Sequence, residues 1–140
     1  MKQKIIQFNP VSADGEKPTF IFNADKLPGN FNIPFALTVA PVDKNSIMLF
    51  NFIVKNENGD EIINDKLIAT VSKLNIVADR VIDANHVFLG LRLTSTPIQV
   101  AVSQDNKPAW FTAQISVLAG EIIVDTAETM FMIRRQPLES

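Results

Sequence analysis

Hydrophobic residues alternate with polar or small ones along most of this chain, and a period of two predicts strands rather than helices. Over residues 33–40, Ile33, Phe35, Leu37 and Val39 share one face, with Pro34, Ala36, Thr38 and Ala40 opposite. Over 86–94, Val87, Leu89, Leu91 and Leu93 oppose His86, Phe88, Gly90, Arg92 and Thr94. Residues 97–103 carry Ile98, Val100 and Val102 on one face. Residues 110–118 carry Phe111, Ala113, Ile115 and Val117 against Thr112, Gln114 and Ser116. Shorter strands are predicted at 4–8, 19–22, 121–124 and 129–133.

Turn residues separate these runs. Asp14–Gly15, Pro28–Gly29 and Asn58–Gly59 are dipeptides that mark reversals. Asn58–Gly59, between Phe52–Lys55 and Glu61–Ile63, predicts a hairpin with a type I′ turn. Asp105–Pro108 predicts a second hairpin joining the runs at 97–103 and 110–118. Short strands with turns every 8–12 residues or so predict a β-sandwich of seven to nine antiparallel strands.

Two features depart from that pattern. Over residues 66–82, Leu67, Val71, Leu74, Ala78 and Val81 fall four, three, four and three apart, the stripe of an amphipathic helix with Asn64 or Asp65 as its cap. The same stretch is rich in Ile, Val and Thr, which favours strands, so helix and strand both stay open there. Elsewhere two strands look apolar on both faces. Met48, Phe50, Phe52 and Val54 form a face with no polar residue, opposite Ile47, Leu49 and Ile53 interrupted by Asn51. Near the C-terminus Phe131 and Ile133 oppose Met130 and Met132.

A sandwich strand has one wet face, so these two strands predict a cover on the second. Three covers fit: an internal one, the 66–82 segment as a helix or a long loop; a second copy of the chain through a two-fold interface; or another partner or apolar ligand. Met48, Phe50, Phe52, Met130 and Met132 are the candidate interface. Trp110, out of phase with the apolar face of its strand, either covers the end of the sandwich or serves as an outward anchor, and is added to the candidates on the second reading.

Composition narrows the chemistry. The chain has 140 residues, 46% hydrophobic and 20% charged, in the range of one globular domain spanning 1–140. Ten Phe, one Trp and no Tyr remove tyrosine acid–base chemistry. No cysteine means no disulfide, thiolate nucleophile or iron–sulfur cluster, as a reducing cytosol allows. The N-terminus lacks the apolar core of a signal peptide, and no run approaches a membrane helix. A net charge of −2 offers no electrostatic ground for binding nucleic acid or a membrane. These readings predict a cytoplasmic protein.

Groups suited to catalysis are few. His86 is the sole histidine, and no serine sits in a Gly-x-Ser-x-Gly context. It reads as the solvated start of a strand, and one histidine leaves a zinc site short of ligands. Asn56–Glu61 is acidic but lacks the spacing of a calcium loop and suits a hairpin tip. No two glycines are close enough to cradle a phosphate. No cofactor and no metal are predicted.

Short strands, tight turns and an Asn–Gly hairpin followed by a long return are similar to immunoglobulin-like sandwiches, without the cysteine pair around a buried Trp. That resemblance implies an architecture only. The functional expectation is a non-enzymatic protein-interaction or assembly module, of bacterial or phage type from its Asn-, Lys- and Ile-rich composition. Its partner is a protein, with a homodimer one case. The alternative is a carrier holding a small apolar ligand in a β-lined cavity. An enzyme ranks third, since it would have to work with carboxylates and lysines alone.

Overall fold

The structure, a computed structural model, describes residues 2–15, 17–71, 76–102 and 107–136, with the backbone alone for 78–81. Eleven strands follow in order: β1 (Lys4–Pro10), β2 (Ile21–Ala24), β3 (Gly29–Phe31), β4 (Pro34–Asp43), β5 (Ile47–Lys55), β6 (Glu61–Thr70), β7 (Ile76–Val81), β8 (His86–Thr94), β9 (Ile98–Val100), β10 (Ala109–Ala119) and β11 (Ile122–Arg135). Nine of them build a sandwich from two sheets, ordered β1-β4-β8-β7 and β2-β11-β10-β5-β6, and β3 pairs with β9 as a separate ribbon. All the pairs are antiparallel except β2 with β11, which run parallel. The mainly β sandwich expected from the alternation is what the chain forms.

The alternation fixes which face each strand buries. Phe35, Leu37 and Val39 of β4 and Val87 and Leu89 of β8 point inward from one sheet. Phe50, Phe52 and Val54 of β5, Phe111, Ala113, Ile115 and Val117 of β10, and Phe131 and Ile133 of β11 meet them from the other. Six phenylalanines form one network between the sheets. Phe35 stacks on Phe8 (5.4 Å between centroids) and meets Phe52 and Phe131 edge-on at 5.3 and 5.7 Å. Phe131 in turn contacts Phe111 and Phe22. A Tyr here would bury a hydroxyl that needs a partner, so Phe suits this interior. The sheets are also pinned at one edge, where the Ile5 N–H of β1 donates to Asp125 Oδ2 of β11 (2.8 Å).

Three expectations are corrected. No helix occurs among the described residues. Residues 66–70 complete β6, registered on β5 from Val54↔Ile63 to Ile47↔Thr70, and 76–81 form β7 against β8. Leu67 half-buries in the core cluster, as a strand residue opposite Phe50. Leu74 of the supposed helical stripe lies outside the described residues. The β-branched residues of this stretch and an open edge on β5 outweigh a spacing that also fits a helix.

The second correction concerns β9, which pairs with β3 (Asn30↔Gln99) and not with β10. The third concerns the Asn58–Gly59 loop, which is longer than a two-residue turn. Gly59 N–H donates to Asn56 O, Asn56 N–H donates to Asp60 O, and Asn56 Oδ1 accepts from the N–H groups of Asn58 and Asp60. Gly59 adopts φ +82°, the left-handed conformation that glycine takes without strain.

Candidate docking face and end pocket

Strand register sets residues of β6, β5, β10 and β11 side by side on the outer face of the larger sheet. One row across the four strands is Ile68–Leu49–Leu118–Ile123. The next is Lys66–Asn51–Ser116–Thr126, then Asn64–Ile53–Gln114–Glu128, then Lys55–Thr112–Met130. The first row is aliphatic throughout. Ile68 is 72% exposed and Ile123 60%, and Ile47 beside them on β5 is 64% exposed. Leu49 and Leu118 are half-buried between their neighbours. Cross-strand partners on one face are in side-chain contact range, so the row is a continuous apolar strip and not scattered residues. The middle rows are polar apart from Ile53, and the far end of the face turns apolar again at Met130 and Trp110.

The free edge of this sheet is guarded. β6 aims Asp65 inward, opposite buried Phe52, and Lys66 outward. Its pairing with β5 shifts register between Val54 and Lys55. Inward charges, lysines and bulges are devices that discourage edge-to-edge strand pairing. The apolar strip on the face has no such protection.

At one end of the sandwich a pocket of about 480 Å³ is lined by Leu27, Val100, Ile133, Trp110, Lys107 and Glu57. The Trp110 N–H donates to Glu57 Oε1 (2.9 Å), which ties the β5–β6 loop to the start of β10. The other acidic groups of that loop bond locally, Asp60 with Asn56 and Glu61 with Asn64. Among the described residues no group of three His, Asp or Glu converges as metal ligands. His86 is the first residue of β8, half-buried, with its Nδ1 2.9 Å from Asp83 Oδ1 of the preceding loop. The backbone N–H of Asn85, and then the His86 ring, hold the Asp83 carboxyl below the ordinary aspartate range.

This sandwich recurs inside much longer chains. A putative β-galactosidase from Bacteroides fragilis superposes with a TM-score of 0.57 at 7% identity, over 91% of this chain and 17% of that one. A glycosyl hydrolase family 2 member from Bacteroides cellulosilyticus DSM 14838 superposes at 0.55, also at 7% identity, over 91% of this chain and 15% of that one. At such identity the likeness shows the fold alone, and this chain spans less than a fifth of either protein. No protein-family profile matches the sequence, and no curated protein matches it.

The residues singled out from the sequence divide in two. Met48, Phe50 and Phe52 are 3%, 2% and 2% exposed and belong to the interior. They are not surface groups, because the polar-free face of β5 is its core face. Met130 and Trp110, 54% and 43% exposed, do lie on the outer face. Met132 lies there too but is buried, flanked by its register partners Trp110 and Ile21. Ile47, Leu49, Ile68, Leu118 and Ile123 were missed. Ile47 and Leu49 sit on the face of β5 that Asn51 interrupts, and that asparagine was the available signal for the outer side.

Proposed function

We propose that this chain is a non-enzymatic β-sandwich interaction module that docks on a protein surface through the outer face of β6, β5, β10 and β11. The observation that carries this reading is the aliphatic row Ile68–Leu49–Leu118–Ile123, aligned by register across four strands and open to solvent. Contiguous exposed apolar surface of this kind marks interaction sites. The solved neighbours, in which the same sandwich is a small share of a longer chain, support its use as a part packed against other parts. The carrier reading has less support, because Met48, Phe50 and Phe52, the residues expected to line a cavity, pack into the interior. The enzyme reading also has little, since the histidine at the start of β8 pairs with the exposed Asp83 and the carboxylates of the β5–β6 turn bond locally.

Native-state binding of a hydrophobic dye in dilute solution tests the face. The wild-type chain is expected to bind dye, and the Ile68→Lys/Ile123→Lys variant to lose most of that binding while keeping its β-sheet circular dichroism. Ile6→Lys, an equally exposed isoleucine on β1, is expected to leave it unchanged. Dye binding that is absent in the wild type, or unaltered in the double variant, would sink the proposal.

A further inference from the structure

We propose that the occupant of this face is a second copy of the chain, in a two-fold dimer whose axis runs parallel to the strands; this rests on the docking reading above. In the aligned class of face-to-face packing, the strands of the two sheets stay within about 30° of each other. A two-fold axis lying in such an interface must therefore run nearly along the strands or nearly across them. The residue rows distinguish these two cases.

With the axis along the strands and midway between β5 and β10, β6 of one copy lies over β11 of the other. Each row then meets its own counterpart. Ile68 faces the second copy's Ile123, and Leu49 faces its Leu118, so the aliphatic strip is buried against itself. In the polar rows Lys66 of β6 comes over β11, one row from Glu128. The offset is about 7 Å along the strand and about 10 Å between sheets, within the joint reach of a Lys and a Glu side chain. Symmetry makes this pair twice. Both side chains are exposed, and neither makes an ion pair among the described residues.

With the axis across the strands and midway along the face, the rows reverse. Leu49 would then face Lys55 and Leu118 would face Thr112. That sets a charge on the apolar strip and leaves Lys66 over Asn64, so the first arrangement is the complementary one. Edge-to-edge growth is disfavoured by Asp65 and Lys66 on β6.

The area is adequate. Four strands at about 4.8 Å spacing and four rows at about 7 Å give a face about 19 Å by 28 Å. With the relief of its side chains this approaches the ~800 Å² per partner of a standard interface.

Sedimentation velocity over a concentration series tests the dimer on wild type, Lys66→Glu, Glu128→Lys and the double exchange Lys66→Glu/Glu128→Lys. The wild type is expected to dimerise. Each single exchange should weaken dimerisation about tenfold, because two attractions become two repulsions, and the double exchange should restore it. Both positions are solvated and make no internal bond, so these variants should fold. A dimer that ignores the exchanges overturns this arrangement. A monomer at every concentration that still binds dye at the face overturns the second copy while leaving the docking reading in place. A monomer that binds no dye overturns both.

Discussion

Phe35 shows how much of this protein rests on single side chains. It is fully buried and touches Phe8 from its own sheet and Phe52 and Phe131 from the facing one. Removing its ring would leave a cavity that rigid neighbours fill only in part. Phe35→Ala is therefore expected to cost about 3–5 kcal/mol, read as a lower midpoint in urea unfolding. Met130→Ala, on the exposed face, should stay within about 0.5 kcal/mol. A Phe35→Ala loss below 1 kcal/mol or so would mean that the network relaxes around the gap. At this scale the sequence was informative about burial and ambiguous about side. Alternation placed Met48, Phe50, Phe52 and Val54 together, but a face without polar residues can be a core or an interface, and composition does not separate the two. Asn51 marked the outer side of β5, although it is half-buried there between its neighbours and its Oδ1 is buried without a hydrogen-bond partner.

At the scale of elements, turns repay close attention. Gly15 and Gly59 both have positive φ, +75° and +82°. A Cβ on Gly59 would meet nothing within 4 Å, whereas one on Gly15 would fall 1.1 Å from Arg92 Nη1. That guanidinium lies over the loop backbone and donates to Asp14 O at 3.4 Å. Gly59→Ala should therefore cost only the conformational strain, about 1–2 kcal/mol, and Gly15→Ala should cost more because Arg92 must also move. In an Arg92→Ala background the excess of Gly15→Ala over Gly59→Ala should vanish, measured by a double-mutant cycle of unfolding free energies. An excess that persists would put the strain in the backbone and not in the arginine contact. β4, β8 and β10 were legible from period alone, whereas β5 read as a strand apolar on both faces. The 66–82 segment was not, since its spacing suits a helix while its β-branched residues and the edge of β5 suit strands. β3 and β9, three residues each, were too short to carry a period.

The whole molecule depends on pairings between distant parts of the chain. Asn23 of β2 and Arg134 of β11 are hydrogen-bonded partners 111 residues apart, and β3 pairs with β9 from across five intervening strands. Loops of this length must close before their contacts form, so refolding in stopped-flow is expected over milliseconds to seconds. A microsecond phase accounting for the whole amplitude would contradict the topology. Distance in sequence also separates what could be read early from what could not. The order of hydrophobic and polar residues determined a β-sandwich, its main strands and which residues are apolar enough to bury, because side-chain alternation is a local property of an extended chain. The pairing of β2 with β11 and of β3 with β9 was decided by the tertiary structure, and so was the alignment of Ile68, Leu49, Leu118 and Ile123 into one exposed row. Register between strands far apart in sequence exists only once the sheets have formed.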